Sequence, residues 1–412
     1  MKFGFVTHWY DPEVSSASLS GTISRALQRQ GDDIRVVTGF PIYPAGRVYP
    51  GYRLRPYQRE QVRGVDVRRG CIYPSHDRSA IRRMSNYASF AASGSAVAIA
   101  TLRDRDANLV FCSPATAAAP AMAARAAHGT PYVLHVQDLW PDSVLASGFL
   151  PRRVGRSARR FLDGALSRVY EGAHHVAVTS PSMAQTLASR GVAEHKLSVV
   201  PNWADEGAFY HAPRDEALGA KLGLTADQIV MYAGNIGQVQ GLDTLVQVAA
   251  RFRHQPGVQF ALVGGGVARA RLEELSASLG LTNIVFVEPQ PFDRMAAVLA
   301  LGTVQVVSLV GDPLFAMTLP SKLQATLCAG HPVLGILEGD GAELIRRAGA
   351  GLTAHPGDVE GATAALRRLL DNRAGLASIG ARGRGYYLEH LSEARGADAL
   401  LNLLREAAGA KR

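Results

Sequence analysis

Short apolar runs rich in β-branched residues alternate with helix-length segments along the whole chain. This alternation leaves room for little besides α/β folds built on parallel sheets. In the first half the runs are residues 2–7, 33–38, 109–112, 132–136, 175–179 and 197–200, with a helix expected over 18–30 and stopped by Gly31. The second half restarts the cycle at 229–233, 258–263, 284–287, 304–309 and 333–336, with helices expected over 242–253 and 269–279. Between the halves, Pro201 to Arg214 (PNWADEGAFYHAPR) is polar and proline-containing without a strong period, and reads as an interdomain linker. A length of 412 residues accommodates two such domains. Two doubly wound domains joined in this way are expected to face a central cleft, with ligand sites beyond the carboxyl ends of their strands.

Composition narrows the class further. Cys71, Cys112 and Cys328 form no CxxC pair, which argues against a disulfide framework or a cysteine zinc cluster and fits a reducing compartment. The opening MKFGFVTHW carries one charge and runs into a polar, proline-containing segment, so it reads as a first strand and not as a signal peptide. No run reaches the roughly eighteen apolar residues a spanning helix needs; residues 87–102 come nearest but are diluted by Ser, Gly and Thr.

The formal net charge of +9 is arginine-driven, since the only lysines are Lys2, Lys196, Lys221, Lys322 and Lys411. Residues 47–83 carry ten arginines (Arg47, Arg53, Arg55, Arg59, Arg63, Arg68, Arg69, Arg78, Arg82, Arg83) against Glu60, Asp66 and Asp77, with aromatic residues interleaved. A second cluster, Arg152, Arg153, Arg156, Arg159, Arg160 and Arg168, has only Asp163 beside it. A solvated basic surface explains either cluster by itself. An anionic membrane surface ranks above nucleic acid, because no RNP-like, zinc-finger or helix-turn-helix pattern accompanies the charge.

Several loops between strand and helix have the composition of ligand sites. Gly234-Asn235-Ile236-Gly237-Gln238-Val239-Gln240-Gly241 follows the 229–233 run, and Gly264-Gly265-Gly266 follows the next. Glycines permit close backbone approach, and a helix N-terminus presents free N–H groups to phosphate. Tight strand-to-helix connections without a ligand would use the same glycines. Lys322 follows Pro320 and Ser321 just inside a helix start, where a cation opposes the helix dipole and is better explained by a bound anion than by helix stability. In the first half, Gln137-Asp138-Leu139-Trp140-Pro141-Asp142 offers carboxylates and a stacking ring for sugar hydroxyls, with Asp142 equally readable as a helix cap. The loop from His8 to Ser16 offers His8, Asp11, Glu13 and hydroxyls. No P-loop, HExxH, GxSxG elbow or convincing metal spacing is present.

With these segments in order, the chain resembles the retaining GT-B glycosyltransferases of family four. Among them it is similar to the WbuB-like bacterial polysaccharide and O-antigen enzymes that transfer fucosamine-type sugars, with colanic acid glycosyltransferases nearby. The likeness rests on HWYDPE, TGFPIYPAG, HVQDLWPDS, TSPSMAQTLASRGV, VVPNWAD, YAGNIGQVQGLDTL, LVGGG and LPSKLQATLCAGHPVL, which span nearly the whole chain in the family's order. It implies an acceptor-binding Rossmann-like domain over 1–203, a nucleotide-sugar-binding one over 204–385, and a C-terminal helix over 386–412 crossing back to the first.

The resemblance also implies roles for particular residues. Gly234, Asn235, Gly237, Gln240, Gly264, Gly265, Glu288, Pro320, Ser321 and Lys322 would bind the donor. Trp9, Asp11, Glu13, Ser15, Ser16, Gln137 and Trp140 would bind the acceptor, while Lys322, Asp138 and His8 would serve catalysis. No metal or other cofactor is expected. The expected partners are a nucleotide sugar, UDP-linked; a lipid-linked glycan; and the anionic inner face of the bacterial cytoplasmic membrane, where the protein would sit peripherally.

The chain departs from many relatives in having Asn235 and Gln240 where they carry Arg and Lys, and Met317 and Ala325 where they carry a glutamate pair. Ser15 and Ser16 replace paired glycines, and Gln137 replaces a histidine. Two other readings stay open: transfer to a soluble natural-product acceptor, and nucleotide-sugar binding without catalysis.

Overall fold

The computed structural model describes residues 1–13, 19–76, 79–143 and 156–410. The chain divides into two compact units, one formed by Met1–Val200 with Gly396–Arg412 and the other by Pro201–Arg395. The first unit contains β1 (Lys2–Thr7), β2 (Asp33–Gly39), β3 (Tyr57–Val62), β4 (Val65–Gly70), β5 (Ala107–Cys112), β6 (Tyr132–Val136), β7 (His175–Val178) and β8 (Leu197–Val199). They form one sheet in the order β3-β4-β2-β1-β5-β6-β7-β8, parallel except for the β3–β4 pair.

The second unit contains β9 (Gln228–Ala233), β10 (Val258–Val263), β11 (Ile284–Val287), β12 (Val304–Ser308), β13 (Val333–Ile336) and β14 (Gly351–Ala354). Its sheet is wholly parallel, in the order β11-β10-β9-β12-β13-β14. Strand order therefore reverses between β1 and β5 in one sheet and between β9 and β12 in the other, the switch points where doubly wound sheets bind ligands.

The apolar runs become strands because both faces of each sheet are covered. In β9, Val230 and Tyr232 pack with Leu245, Val248 and Leu366, whereas Ile229 and Met231 pack with Leu224, Val298 and Leu301. This alternation is the period of two of an extended chain. Burying one large side chain such as Phe260, fully enclosed beside Phe252, contributes roughly 1.5–3 kcal/mol.

Strands β3, β4 and β14 are additions to the elements expected from sequence. The β3–β4 hairpin lies in the arginine-rich stretch and corrects part of its reading as a surface. Arg69 is fully buried: its Nη1 donates to Gly39 O (2.7 Å), its Nη2 to Asp11 O (2.5 Å), and its Nε pairs with Glu60. Arg68 is buried too, donating to Tyr57 Oη (2.7 Å) and Asp66 Oδ2 (2.8 Å). Phe90, in the helix Ala80–Thr101 that follows this stretch, is likewise enclosed. Arg78, Arg152 and Arg153 lie outside the described residues.

The unit boundaries differ from the expected 203/204 and 385/386. Pro201–Arg214 is no free linker, because Ala204 and Phe209 pack with Leu323, Leu327 and Tyr387 in the second unit, and Tyr387 Oη lies 3.2 Å from Ala204 N. Tyr387 also keeps the helix Arg373–His390 in that unit. Only from Gly396 does the C-terminal helix, Glu393–Gly409, belong to the first unit. There Arg405 Nη2 lies 3.2 Å from Asp32 Oδ2, and Glu406 Oε2 lies 2.9 Å from His175 Nε2. Among the described residues no helix is long and apolar enough to cross a membrane.

Removing the Arg69 guanidinium strands Glu60 and two carbonyls. Arg69→Met should destabilise the first unit by about 3 kcal/mol, read as an earlier urea transition for that unit with the midpoint of the second unchanged.

Candidate functional site

In the second unit, the exits of β9, β10 and β12 are laced together. Gly234 N donates to Val263 O (2.9 Å), Ile236 N to Gly265 O (2.8 Å) and Ala268 N to Ile236 O (3.0 Å). From β12, Ser308 Oγ donates to Gln240 O (2.6 Å) and Val310 N to Val239 O (2.9 Å). The backbones approach so closely that side chains are excluded. A Cβ on Gly264, whose φ is 141°, would lie 2.0 Å from Gly234 O, and one on Gly266 would lie 2.3 Å from Ile236 O. Within the first loop, Gln240 Oε1 accepts from Gly237 N (3.0 Å) and Asn235 O accepts from Tyr232 Oη (2.5 Å). The Gln240 side chain thus shapes the turn.

Lys322 enters this cradle as the second residue of the helix Ser321–Ala329, with Pro320 at the N-cap and no side-chain cap bond. A Cβ on Gly234 would stand 2.4 Å from Lys322 Cε and 3.2 Å from Nζ, so the missing side chain at 234 makes room for the lysine. Its ammonium lies 5.3 Å from the centre of the Tyr232 ring. Among the described residues it has no carboxylate partner, and burial alone lowers its pKa from 10.5 to about 8. An unpaired cation beside the free N–H groups of a helix start makes one continuous positive surface, the chemistry of an anion site. Ser321 is exposed at the same helix start.

Glu288 stands just beyond β11 with its carboxylate exposed, 2.8 Å from Arg269 Nη2. Arg269 also holds Glu273 (2.8 Å) and donates to Gly264 O (2.9 Å). Gln290 Nε2 donates to Glu288 O (2.9 Å), and Gly265 faces Pro289. Ala325 is buried in the same helix as Lys322, and Met317 closes the short helix Pro313–Ala316.

In the first unit, the loop after β1 is largely turned inward. His8 Nε2 lies 2.8 Å from Asn86 Oδ1, and the ring is walled by Trp9, Phe90 and Tyr87 at 4.8, 4.9 and 5.4 Å. Burial lowers its pKa to about 4 despite the Asn86 contact, so it is neutral at pH 7. His8 Nδ1 and the indole N–H of Trp9 have no partner among the described residues.

Asp11 and Glu13 correct the expectation that both carboxylates present themselves to a ligand. Asp11 pairs with Arg25 against Gly21, where no Cβ would fit. Glu13 accepts from Tyr10 N (2.9 Å), Ile42 N (2.7 Å) and Tyr43 N (2.8 Å), pinning the loop after β1 to the loop after β2. Its burial raises the carboxyl to about 7 against the pull of those three donors and Arg69. Both are 3% exposed or less, with these partners inside the first unit. Ser15 and Ser16 lie outside the described residues.

At the exits of β5 and β6, Ser113 Oγ donates to Asp138 Oδ2 (2.6 Å). Desolvation by the surrounding loop raises the Asp138 pKa against that hydrogen bond, although the residue keeps an exposed surface. Trp140 lies 5.9 Å from Tyr87 and is mostly buried; its carbonyl accepts from Arg190 Nη1 (3.2 Å). Asp142 pairs with Arg190. Gln137 follows β6 half-buried, its N–H donating to Cys112 O (3.2 Å). Among the described residues no group of three or more His, Cys, Asp or Glu could hold a metal ion.

Tyr232, Arg269, Ser308, Ser113 and Asn86 were not singled out from sequence. Tyr232 was accessible there, since it lies two residues before Gly234 and so shares a strand face with it. Ser308, Ser113 and Asn86 act through contacts remote in sequence.

A glycosyl transferase 4-like domain model matches residues 20–203, and a glycosyl transferases group 1 model matches 227–372. Over 326 residues the chain is 31% identical to WcaI of Escherichia coli (strain K12), whose name assigns it as a glycosyl transferase of colanic acid biosynthesis; the match covers 78% of this chain and 79% of WcaI. The chain belongs to this glycosyltransferase family.

Solved structures agree on the GT-B fold of this glycosyltransferase. Sucrose-phosphate synthase from Thermosynechococcus elongatus superposes with a TM-score of 0.73 at 20% identity over 99% of each chain. The HepE protein of Anabaena, solved in complex with UDP, superposes with a TM-score of 0.69 at 14% identity over 98% of this chain and 100% of its own.

The position of Lys322 gives this glycosyltransferase a defined pH response. Its charge is lost as pH rises through about 8, so anion binding at the cradle, measured by calorimetry with inorganic pyrophosphate as the probe, should weaken between pH 7 and 9. In Lys322→Met binding should be weak throughout, without that pH dependence.

Proposed function

We propose that this glycosyltransferase moves an N-acetylated aminosugar of fucosamine type from a UDP donor, with retention, onto a lipid-linked glycan in the assembly of a bacterial cell-surface polysaccharide. The observation that carries the proposal is the unpaired, desolvated ammonium of Lys322 against the glycine cradle of residues 234–241 and 264–266. Such a surface matches the diphosphate of a nucleotide sugar, and the UDP in HepE supports that donor class. The name of WcaI supports the polysaccharide setting. We place the reaction at the inner face of the cytoplasmic membrane, where a lipid-linked acceptor would be presented.

As the bond between the sugar and the diphosphate oxygen breaks, negative charge grows on that oxygen. Lys322, mostly protonated at pH 7, and the helix N–H groups stabilise it, and fixed donors in a partly dry site act more strongly than water would. No metal is required in this scheme. The acceptor hydroxyl attacks from the face the diphosphate leaves, passing its proton to the departing oxygen, so retention needs no dedicated protein base. Asp138 orients a sugar hydroxyl through its solvent-facing carboxylate, and Trp140 bounds the same loop. His8, neutral and buried, takes part as a hydrogen-bonding ring and not as an ionised acid. Glu288, paired to Arg269, lies toward the nucleobase end.

Lys322→Ala should reduce transfer by roughly 10²–10³-fold while circular dichroism and the melting temperature stay near wild type. Undiminished turnover would contradict the role of Lys322. Activity that needs washed membranes favours a lipid-linked acceptor, and full activity with soluble acceptors alone overturns it.

A further inference from the structure

The arginine excess in the first unit is only partly consumed by the fold. Asp66 is shared by three guanidiniums, accepting from Arg68 (2.8 Å), Arg35 (3.1 Å) and Arg59 (3.2 Å). Burial pushes its pKa up, but the hydrogen bonds from Arg68 and Arg35 outweigh that and hold it below the usual range. Arg35 finds a second partner in Asp104 (2.8 Å), and Arg59 remains largely exposed. Arg53 and Arg55 are exposed and make no ion pair or hydrogen bond among the described residues.

Arg53, Arg55 and Arg59 line one surface groove of about 620 Å³, together with Gly51, Tyr52 and Gln58, beside the edge strand β3. Its wall is built from within. The buried Arg69 guanidinium lies 5.1 Å from the centre of the Tyr52 ring, and Glu60, neutralised by Arg69, accepts from Tyr52 Oη (3.3 Å) and Gln58 Nε2 (3.2 Å). The groove therefore has a fixed polar wall and a rim of guanidiniums, two of them without a counter-ion. Guanidinium forks match phosphate oxygens in pairs. Leu54, between the two unpaired arginines in sequence, is an apolar side chain 40% exposed. Cations alternating with exposed apolar groups suit a lipid–water interface, where the charge meets headgroups and the apolar tips enter the acyl boundary.

We infer that this groove is a second anion site of the protein, separate from the Lys322 cradle, and that it takes the phosphate of an anionic phospholipid headgroup. The inference refines the membrane location given under the proposed function and rests on that part of it. It does not depend on the donor sugar or on the reaction.

The test uses the full chain and flotation with two kinds of vesicle, phosphatidylcholine alone and phosphatidylcholine containing phosphatidylglycerol. Wild type should float only with the anionic vesicles, and added salt should weaken the association. Each basic residue near such a surface contributes roughly a fivefold change in partitioning. The double variant Arg53→Gln/Arg55→Gln should therefore bind the anionic vesicles about 25-fold more weakly, and Leu54→Asn should bind them more weakly than wild type.

UDP affinity, measured on the same preparations, should be unchanged in these variants; a parallel loss of UDP binding would mean that folding had failed and would remove support from the flotation result. Equal flotation of double variant and wild type would overturn the site, as would equal binding of both vesicle types. Binding of inorganic phosphate that is lost in the double variant, with no flotation of wild type, would overturn the lipid source. A protein that floats as described yet transfers no sugar would uphold the groove and reject the proposed reaction.

Discussion

An ammonium removed from water with no carboxylate beside it is destabilising unless something else completes its environment. Lys322 is held in that condition, its stem filling the space left by Gly234 and its head near the face of Tyr232. The second unit is arranged to keep it there. Three strand exits at the switch point are bonded to one another, and the helix that begins at Ser321 brings the lysine against them. An arriving diphosphate would relieve the imbalance, because it supplies the missing negative charge and accepts from the free N–H groups. A site poised in this way uses ligand binding energy to satisfy a group that the fold alone leaves unsatisfied.

The first unit treats its buried charges in the opposite manner. Arg69 is surrounded by Glu60 and two carbonyls, Asp11 by Arg25, and Glu13 by three N–H donors. These groups position the loops after β1 and β2. The Asp138 carboxylate, steadied by Ser113, is open to solvent. The buried charges of the two units thus differ in kind: Arg69, Asp11 and Glu13 are compensated inside the first unit, and Lys322 in the second is not.

The parallel strands were legible in the sequence because burial on both faces demands uninterrupted apolar runs, and the glycine loops were legible because close backbone approach admits no other residue. The β3–β4 hairpin was not. Its strands, YQREQV and VDVRRG, place arginines at buried positions, and the acceptors that make this tolerable for Arg69 lie at Asp11, Gly39 and Glu60. A local pattern cannot reveal such partners. For the same reason Asp11 and Glu13 looked like ligand groups, although their hydrogen bonds are spent inside the unit. Gly234 and Lys322 were each marked by their own surroundings, but their contact follows from the β9–β12 pairing and the helix after it, which only the fold discloses.

The protonation of Lys322 can be observed directly. An NMR titration of its side-chain ¹³Cε signal, assigned by its loss in Lys322→Met, should give a pKa near 8 in the free protein. Saturation with UDP should move that pKa upward, as an adjacent diphosphate favours the charged form. A pKa near 10.5 in the free protein, or one that UDP leaves unmoved, would contradict a desolvated cation held for the diphosphate.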